Sequence, residues 1–248
     1  MSNLHNLDGE NSYQYNWHAQ YDPTKVDLSI VALKSLGLGI LILVNFTMMV
    51  LSACNIINSS PAITRINGYL IFVLVFYLLE FFSTCLFNNS ETDDDSFILN
   101  DIDLHIVHVV SILEILGKTW LFPSFIIDFP IIGLCVVFLG QFSRTLAMYT
   151  AKESFNHYIQ REHMNKHKLV TWGIYRYLRH PSYFGFFWWF IGTQLWLGNL
   201  AVLALGLFKL WNFFNYRIKF EEKFLINFFG QDYTDYKSKA RTGIPFIE

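Results

Sequence analysis

Two charged residues four positions apart, Arg217 and Glu221, raise the first chemical question in this chain. On a helix that spacing puts them on one face. In a water-exposed helix they would form an ordinary ion pair contributing roughly 0.3–0.5 kcal/mol. Here they follow an apolar stretch, Leu200 to Tyr216, and charge at a bilayer edge is costly enough that function is the default reading. Arg144 stands near the end of another apolar run. Snorkelling to lipid phosphates accounts for one such arginine; with Arg217 on the same side, Arg144 becomes a candidate second anchor for a carboxylate. The run Arg179-His180-Pro181-Ser182-Tyr183 is a break followed by a restart. Proline fits the first turn of a helix and disfavours helix at the preceding residue, so His180 and Tyr183 fall at the mouth of the next apolar segment. His180 has the chemistry of a base, a ligand donor or a metal ligand. No Cys, Asp or second His accompanies it at metal-ligand spacing.

Other polar residues carry weaker signals. Leu169, Val170 and Gly173 read as a loop with backbone groups turned to a ligand, although glycine in a loop is usually only a turn. No G-x-G-x-x-G follows a strand, which argues against a Rossmann-type nucleotide site. His105 and His108 are spaced as a metal pair would be, but polar residues inside a helical bundle more often satisfy one another. Glu80 has the same reading, a buried partner first. Cys54, Cys85 and Cys135 lie in or beside apolar runs and read as reduced packing residues.

These residues must be positioned by elements that live in lipid. Hydrophobic residues make up 53% of the 248, charged residues 15%, against about 25% charged in soluble domains; mean hydropathy is +0.31. A net charge of −2 provides no basic field for nucleic acid. A bilayer core needs about 20 apolar helical residues. Leu28 to Cys54, Tyr69 to Phe87, Leu104 to Phe122 and Phe125 to Met148 meet that requirement, the third weakened by His105, His108, Glu114 and Lys118. Phe184 to Leu197 and Leu200 to Tyr216 are shorter and separated by Gly198-Asn199, a tilted hairpin. The expected fold class is therefore all-α, a polytopic membrane bundle of about six spans. Basic residues crowd residues 150–182 and the segment after the hairpin; basic loops stay in the cytosol. The division expected is a cytosolic tail over 1–27, a membrane frame over 28–149 and a catalytic region over 150–248. No cleavable signal peptide is visible at the N-terminus, and Ile244-Pro245-Phe246-Ile247-Glu248 is no prenylation box.

From Gly140 to Ile247 the chain resembles the isoprenylcysteine carboxyl methyltransferases of the endoplasmic reticulum. The resemblance rests on H-x-L-V-x-x-G-x-Y from His167, R-H-P-S-Y-x-G from Arg179, G-T-Q from Gly192, R-x-x-x-E-E from Arg217 and T-G-I-P-F-I from Thr242, in that order. The apparent six spans resemble fungal members more than the eight-span animal ones. The resemblance implies an enzyme that methylates the C-terminal carboxylate of S-prenylcysteine in CaaX-processed proteins, with S-adenosyl-L-methionine as donor and the site facing the cytosol. It implies a donor pocket of Gln160, His167, Lys168, Leu169, Val170, Tyr175, His180, Pro181, Ser182, Tyr183 and Glu221. It assigns Arg217 to the acceptor and makes Arg144 a third catalytic candidate. The implied partners are Ras-type GTPases, lipidated pheromones and the bilayer itself; the sequence leaves a homodimer open.

The R-H-P-x-Y core is shared with membrane sterol reductases and phospholipid methyltransferases, the rival readings. A reductase would need further residues for the nicotinamide and adenine phosphate, and no such set is evident. A transporter or scaffold would line a path through all spans, whereas the polar residues here gather in the last hundred positions.

Overall fold

The computed structural model describes residues 26–87, 92–121, 129–155 and 168–248. Among the described residues seven α-helices follow one another: α1 Leu28–Ala53, α2 Pro61–Phe87, α3 Ile102–Leu121, α4 Pro130–Ala151, α5 Pro181–Leu197, α6 Leu200–Phe229 and α7 Gln231–Lys239. Among the described residues the only β feature is a parallel bridge between Leu178 and Arg241. α1 to α4 are each long and apolar enough to cross a bilayer. Leu33, Leu43, Leu113 and Phe208 are among many large apolar side chains left facing outward, as expected for a surface solvated by lipid tails.

A helix is present at each expected span, with shifted boundaries, and four of them, α1 to α4, have the length and apolarity of a span. α2 begins at Pro61, eight residues before Tyr69, because Pro61 opens the helix. α4 begins at Pro130 with Phe129 as its N-cap; Phe125 lies outside the described residues. The hairpin is α5 and α6, and Gly198 turns it in a left-handed conformation (φ +67). α6 does not stop at Tyr216. Its 30 residues make a rod of about 45 Å, longer than a roughly 30 Å hydrocarbon core, so Arg217 onward stands on a rigid continuation of the hairpin's second helix. One expectation fails. Cys54 and Cys135 are exposed and only Cys85 is partly buried, so the first two do not pack the core.

α4 and α5 form the tightest interface because glycines remove the side chains between them. A Cβ at Gly140 would come within 2.4 Å of the Trp189 backbone nitrogen, and one at Gly192 within 2.4 Å of Val137 N. Gly133 and Gly185 meet the partner backbone in the same way. Small residues let membrane helices approach this closely, and the approach sets Arg144 of α4 beside Ser182 of α5.

The polar residues that weakened α3 as a span each have a partner. His108 lies between the hydroxyls of Tyr69 and Tyr77, at 2.6 and 2.9 Å. Lys118 Nζ donates to the carbonyls of Leu197 and Gly198, both at 2.6 Å. Glu114 accepts from the backbone N–H groups of Ala201 and Val202, at 2.9 and 2.7 Å. One residue of α3 thus caps the end of α5 with positive charge, and another caps the start of α6 with negative charge, as the helix dipoles favour. Lys118→Met is expected to cost about 1.5–3 kcal/mol, the usual range for a hydrogen bond to a charged group. A fall in the thermal midpoint of the detergent-purified protein checks this, and an unchanged midpoint removes the clamp.

Candidate active site

The site is assembled at the end of the bundle where α2, α4, α5 and α6 come together. Pro181 occupies the first turn of α5 and His180 is its N-cap, with non-helical φ −127 and ψ 61. The preceding segment is fixed by backbone pairing: Arg179 N donates to Arg241 O at 2.9 Å, and Arg241 N to Tyr177 O at 3.1 Å. The Thr242-to-Ile247 motif therefore has a structural job. Ile244 and Ile247 are buried against Phe187, Phe214 and Ile218, and Trp211 Nε1 donates to Pro245 O at 2.8 Å. The chain end is thereby locked across the hairpin.

The consecutive acids Glu221 and Glu222 face different surroundings, as neighbours on a helix must. Glu222 is 3% exposed. Its Oε1 accepts from Arg179 Nε at 2.6 Å and from His180 Nε2 at 3.1 Å, and its Oε2 from Lys237 Nζ at 2.6 Å. Tyr236 Oη donates to Tyr175 O at 2.7 Å, tying the 3₁₀ turn Gly173–Arg176 to α7. Burial alone would raise the Glu222 carboxyl pKa; the hydrogen bonds from His180, Lys237 and Arg179 outweigh it and hold the pKa well below the usual carboxylate range. A lowered folded pKa means the group stabilises the fold above its unfolded pKa and loses that contribution as pH falls through the folded value. The stability difference between wild type and Glu222→Gln is thus expected to shrink progressively below the ordinary glutamate value of 4.5. Thermal midpoints of both proteins across that range test it.

Glu221 faces the open side. Tyr183 Oη donates to Glu221 Oε2 at 2.6 Å and accepts from Arg217 Nε at 2.9 Å. One phenol therefore stands between the acid and the arginine. The Tyr183 ring is stacked on His180 on one side (5.4 Å, 7°) and on Phe214 on the other (5.1 Å, 29°). The Arg217 guanidinium lies 5.5 Å from the centre of the same ring. Arg144 is 8% exposed. Its Nε and Nη2 donate to the two oxygens of Glu80, Nη2 at 2.8 Å, and its Nη1 to Ser182 Oγ at 2.9 Å. Glu80 thus has the buried partner its sequence position called for.

Two cavities meet here. The smaller, ≈ 130 Å³, is lined by Lys168, Leu169, Val170, Tyr175, His180, Pro181, Ser182, Tyr183 and Glu221, with Arg179, Leu225, Phe229, Tyr233 and Tyr236 on its walls. Burial raises the phenols of Tyr175, Tyr233 and Tyr236 well above their ordinary pKa, so each stays a neutral donor. The larger cavity, ≈ 480 Å³, is mostly apolar. Phe76, Phe186, Trp189, Phe190, Leu210, Phe213 and Phe214 form its sides, and Arg144 and Arg217 are among its charged lining residues. Ser182 and Tyr183 belong to both cavities.

The description of the isoprenylcysteine carboxyl methyltransferase (ICMT) family matches residues 131–227. The chain is 42% identical over 190 residues to protein-S-isoprenylcysteine O-methyltransferase of Saccharomyces cerevisiae, covering 73% of this chain and 80% of that one. Against the Homo sapiens protein of the same name it is 37% identical over 193 residues, 77% of this chain and 68% of that one. This chain belongs to the isoprenylcysteine carboxyl methyltransferase family. Its backbone also matches a solved structure described as the eukaryotic intramembrane Ras methyltransferase ICMT. The TM-score is 0.79 at 35% identity, over 88% of this chain and 77% of that one. Membership makes the chain a membrane-embedded methyltransferase, for which a methyl donor is required.

Nine of the eleven residues expected at the donor pocket line the smaller cavity; Gln160 and His167 lie outside the described residues. Arg217 and Arg144 lie on the larger cavity and touch that set through Tyr183 and Ser182. Sequence reasoning gave no role to Arg179 or Glu222. Their contact spans 43 positions, and the second acid of an E-E pair carries no local sign of which way it faces.

Proposed function

We propose that the chain transfers the methyl group of S-adenosylmethionine to the C-terminal carboxylate of S-prenylcysteine in processed CaaX proteins. The proposed setting is the endoplasmic reticulum membrane with the site on the cytosolic side, an orientation supported by the basic segments. The observation that carries this reading is the junction of two unlike cavities at Ser182 and Tyr183. A polar donor and an apolar acceptor can each occupy their own compartment and still bring their reacting atoms together. The residues of the smaller cavity suit the donor in kind: Glu221 for an ammonium, tyrosine and phenylalanine rings for a flat base, and the Lys168–Val170 backbone at the wall. The donor, when bound, supplies a methyl group on a sulfonium centre, open to direct attack by an ionised carboxylate.

The acceptor α-carboxylate has a pKa of about 3.5 and is ionised at neutral pH, so no residue need act as a base. Arg217 orients it from the apolar side through charge-assisted hydrogen bonds. Tyr183 fixes Arg217 and Glu221 relative to each other by accepting from one and donating to the other. Arg144 acts as a positioning residue, since Nε, Nη1 and Nη2 all have partners and hold Ser182 at the junction. The prenyl chain lies along Phe76, Phe186, Trp189 and Phe214 and enters sideways between α3 and α6. Burial of the acceptor there excludes water and supports catalysis by alignment, which is worth several kcal/mol in an enzyme of this kind. Ras-type GTPases and lipidated pheromones carry the terminal group this site would take.

The deciding experiment incubates membranes holding the protein with labelled methyl donor and N-acetyl-S-farnesylcysteine, then measures base-labile methyl ester. Absence of ester with folded protein present rejects the reading.

A further inference from the structure

We propose that Arg179 and Tyr233 form a carboxylate-binding corner in the smaller cavity, holding the α-carboxylate of the methyl donor while Glu221 holds its ammonium. The inference rests on the reading of that cavity as the donor site, and it adds two residues to that site.

Arg179 is 7% exposed and Tyr233 is 1% exposed, and both belong to the cavity wall. Arg179 spends Nε on Glu222 and Nη1 on Ala240 O, at 2.6 and 2.9 Å. Its Nη2 has no hydrogen-bond partner among the described residues, and Tyr233 Oη, which stands near the Glu222 carboxylate, makes no hydrogen bond of ordinary geometry. A buried donor without an acceptor is costly, more so on a charged group, and most native ones are explained by a ligand or solvent atom. Glu222, the acid beside them, already accepts from Arg179, His180 and Lys237. Among the described residues no acceptor reaches Arg179 Nη2, which leaves that donor to an acceptor on a ligand.

Charge and size narrow what that acceptor is. The charged side chains on the cavity wall are Lys168, Arg179 and Glu221, of which buried Arg179 and half-buried Glu221 are a pair of opposite sign. An α-amino acid group is a zwitterion and matches both without adding net charge. A phosphate would place further negative charge near Glu221. A carboxylate is planar and accepts from a guanidinium N–H and a phenol O–H together, the geometry arginine serves well. The cavity is ≈ 130 Å³, room for a group of amino-acid size. Tyr233 is brought to this wall because Gly230, at φ +55, turns the chain from α6 into α7.

The test uses the full chain in detergent and two ligands. S-adenosylhomocysteine carries the carboxylate; its decarboxylated analogue keeps the adenosine, thioether and amine. Wild type is expected to bind the first more tightly. Tyr233→Phe is expected to weaken S-adenosylhomocysteine about tenfold and leave the analogue within twofold. Arg179→Lys should move the first ligand further and again spare the second, with a thermal melt confirming the fold. Parallel weakening of both ligands in Tyr233→Phe, or no change in either, overturns the carboxylate corner. Wild type that binds neither ligand overturns the donor site itself.

Discussion

Arg217→Lys is expected to lower kcat/KM for N-acetyl-S-farnesylcysteine by about 10²-fold, the effect of displacing a reacting group by about an ångström. Lysine keeps the positive charge, so a role in crude attraction would survive the change. It loses the planar fork and the Nε–H that bonds Tyr183 Oη at 2.9 Å. The consequence passes to the other compartment, because Tyr183 is also the donor to Glu221 at 2.6 Å. An ammonium on a flexible stem cannot reproduce both the contact to Tyr183 and a bidentate grip on the acceptor. The loss is expected mainly in kcat, with the donor KM moving less. Tyr183→Phe removes the bridge and leaves the guanidinium, so its effect should fall between wild type and Arg217→Lys. Rates are measured in membranes matched for protein content; a lysine variant within threefold of wild type would falsify the orienting role.

The sequence made the helices legible because apolar runs of bilayer length leave little else for the chain to form, and α1 matches the expected span to one residue. It made the R-H-P-S-Y restart legible because proline fits the first turn of a helix and disfavours helix at the residue before it, here His180. What it left open depends on distant partners. Arg217 and Glu221 share a face as their spacing requires, yet the phenol joining them, Tyr183, comes from another helix. Lys118 and Glu114 counted against α3 as a span until the ends of α5 and α6 arrived to receive them. The close approach of α4 and α5 is written in four glycines whose partners lie 40 or more positions away. Each of these facts is a property of two segments at once, which a reading along one chain does not contain.

The Arg144–Glu80 pair invites the largest change in stability. Glu80 is 1% exposed and Arg144 8%, and the guanidinium rests 5.3 Å from the centre of the Phe76 ring and 5.5 Å from that of Phe186. Desolvating both ions is expensive, so the pair as a whole adds little net stability; removing one partner is different, because it strands the other charge at about 3–5 kcal/mol. Glu80→Leu is therefore expected to deplete the folded protein strongly, read as a lower thermal midpoint and lower abundance in membranes. The flanking rings offset only part of that cost. In Glu80→Leu/Arg144→Met no charge is left behind, and packing against Phe76 and Phe186 is kept, so the midpoint should return most of the way to wild type. Activity should not return with it. Ser182 Oγ loses the Arg144 Nη1 donor at the junction of the two cavities, and methylation is expected to stay about tenfold down, the size of one lost charged hydrogen bond. A double variant as unstable as the single one would show that the pair is held for more than its mutual neutralisation. A double variant with full activity would remove Arg144 from the positioning of Ser182.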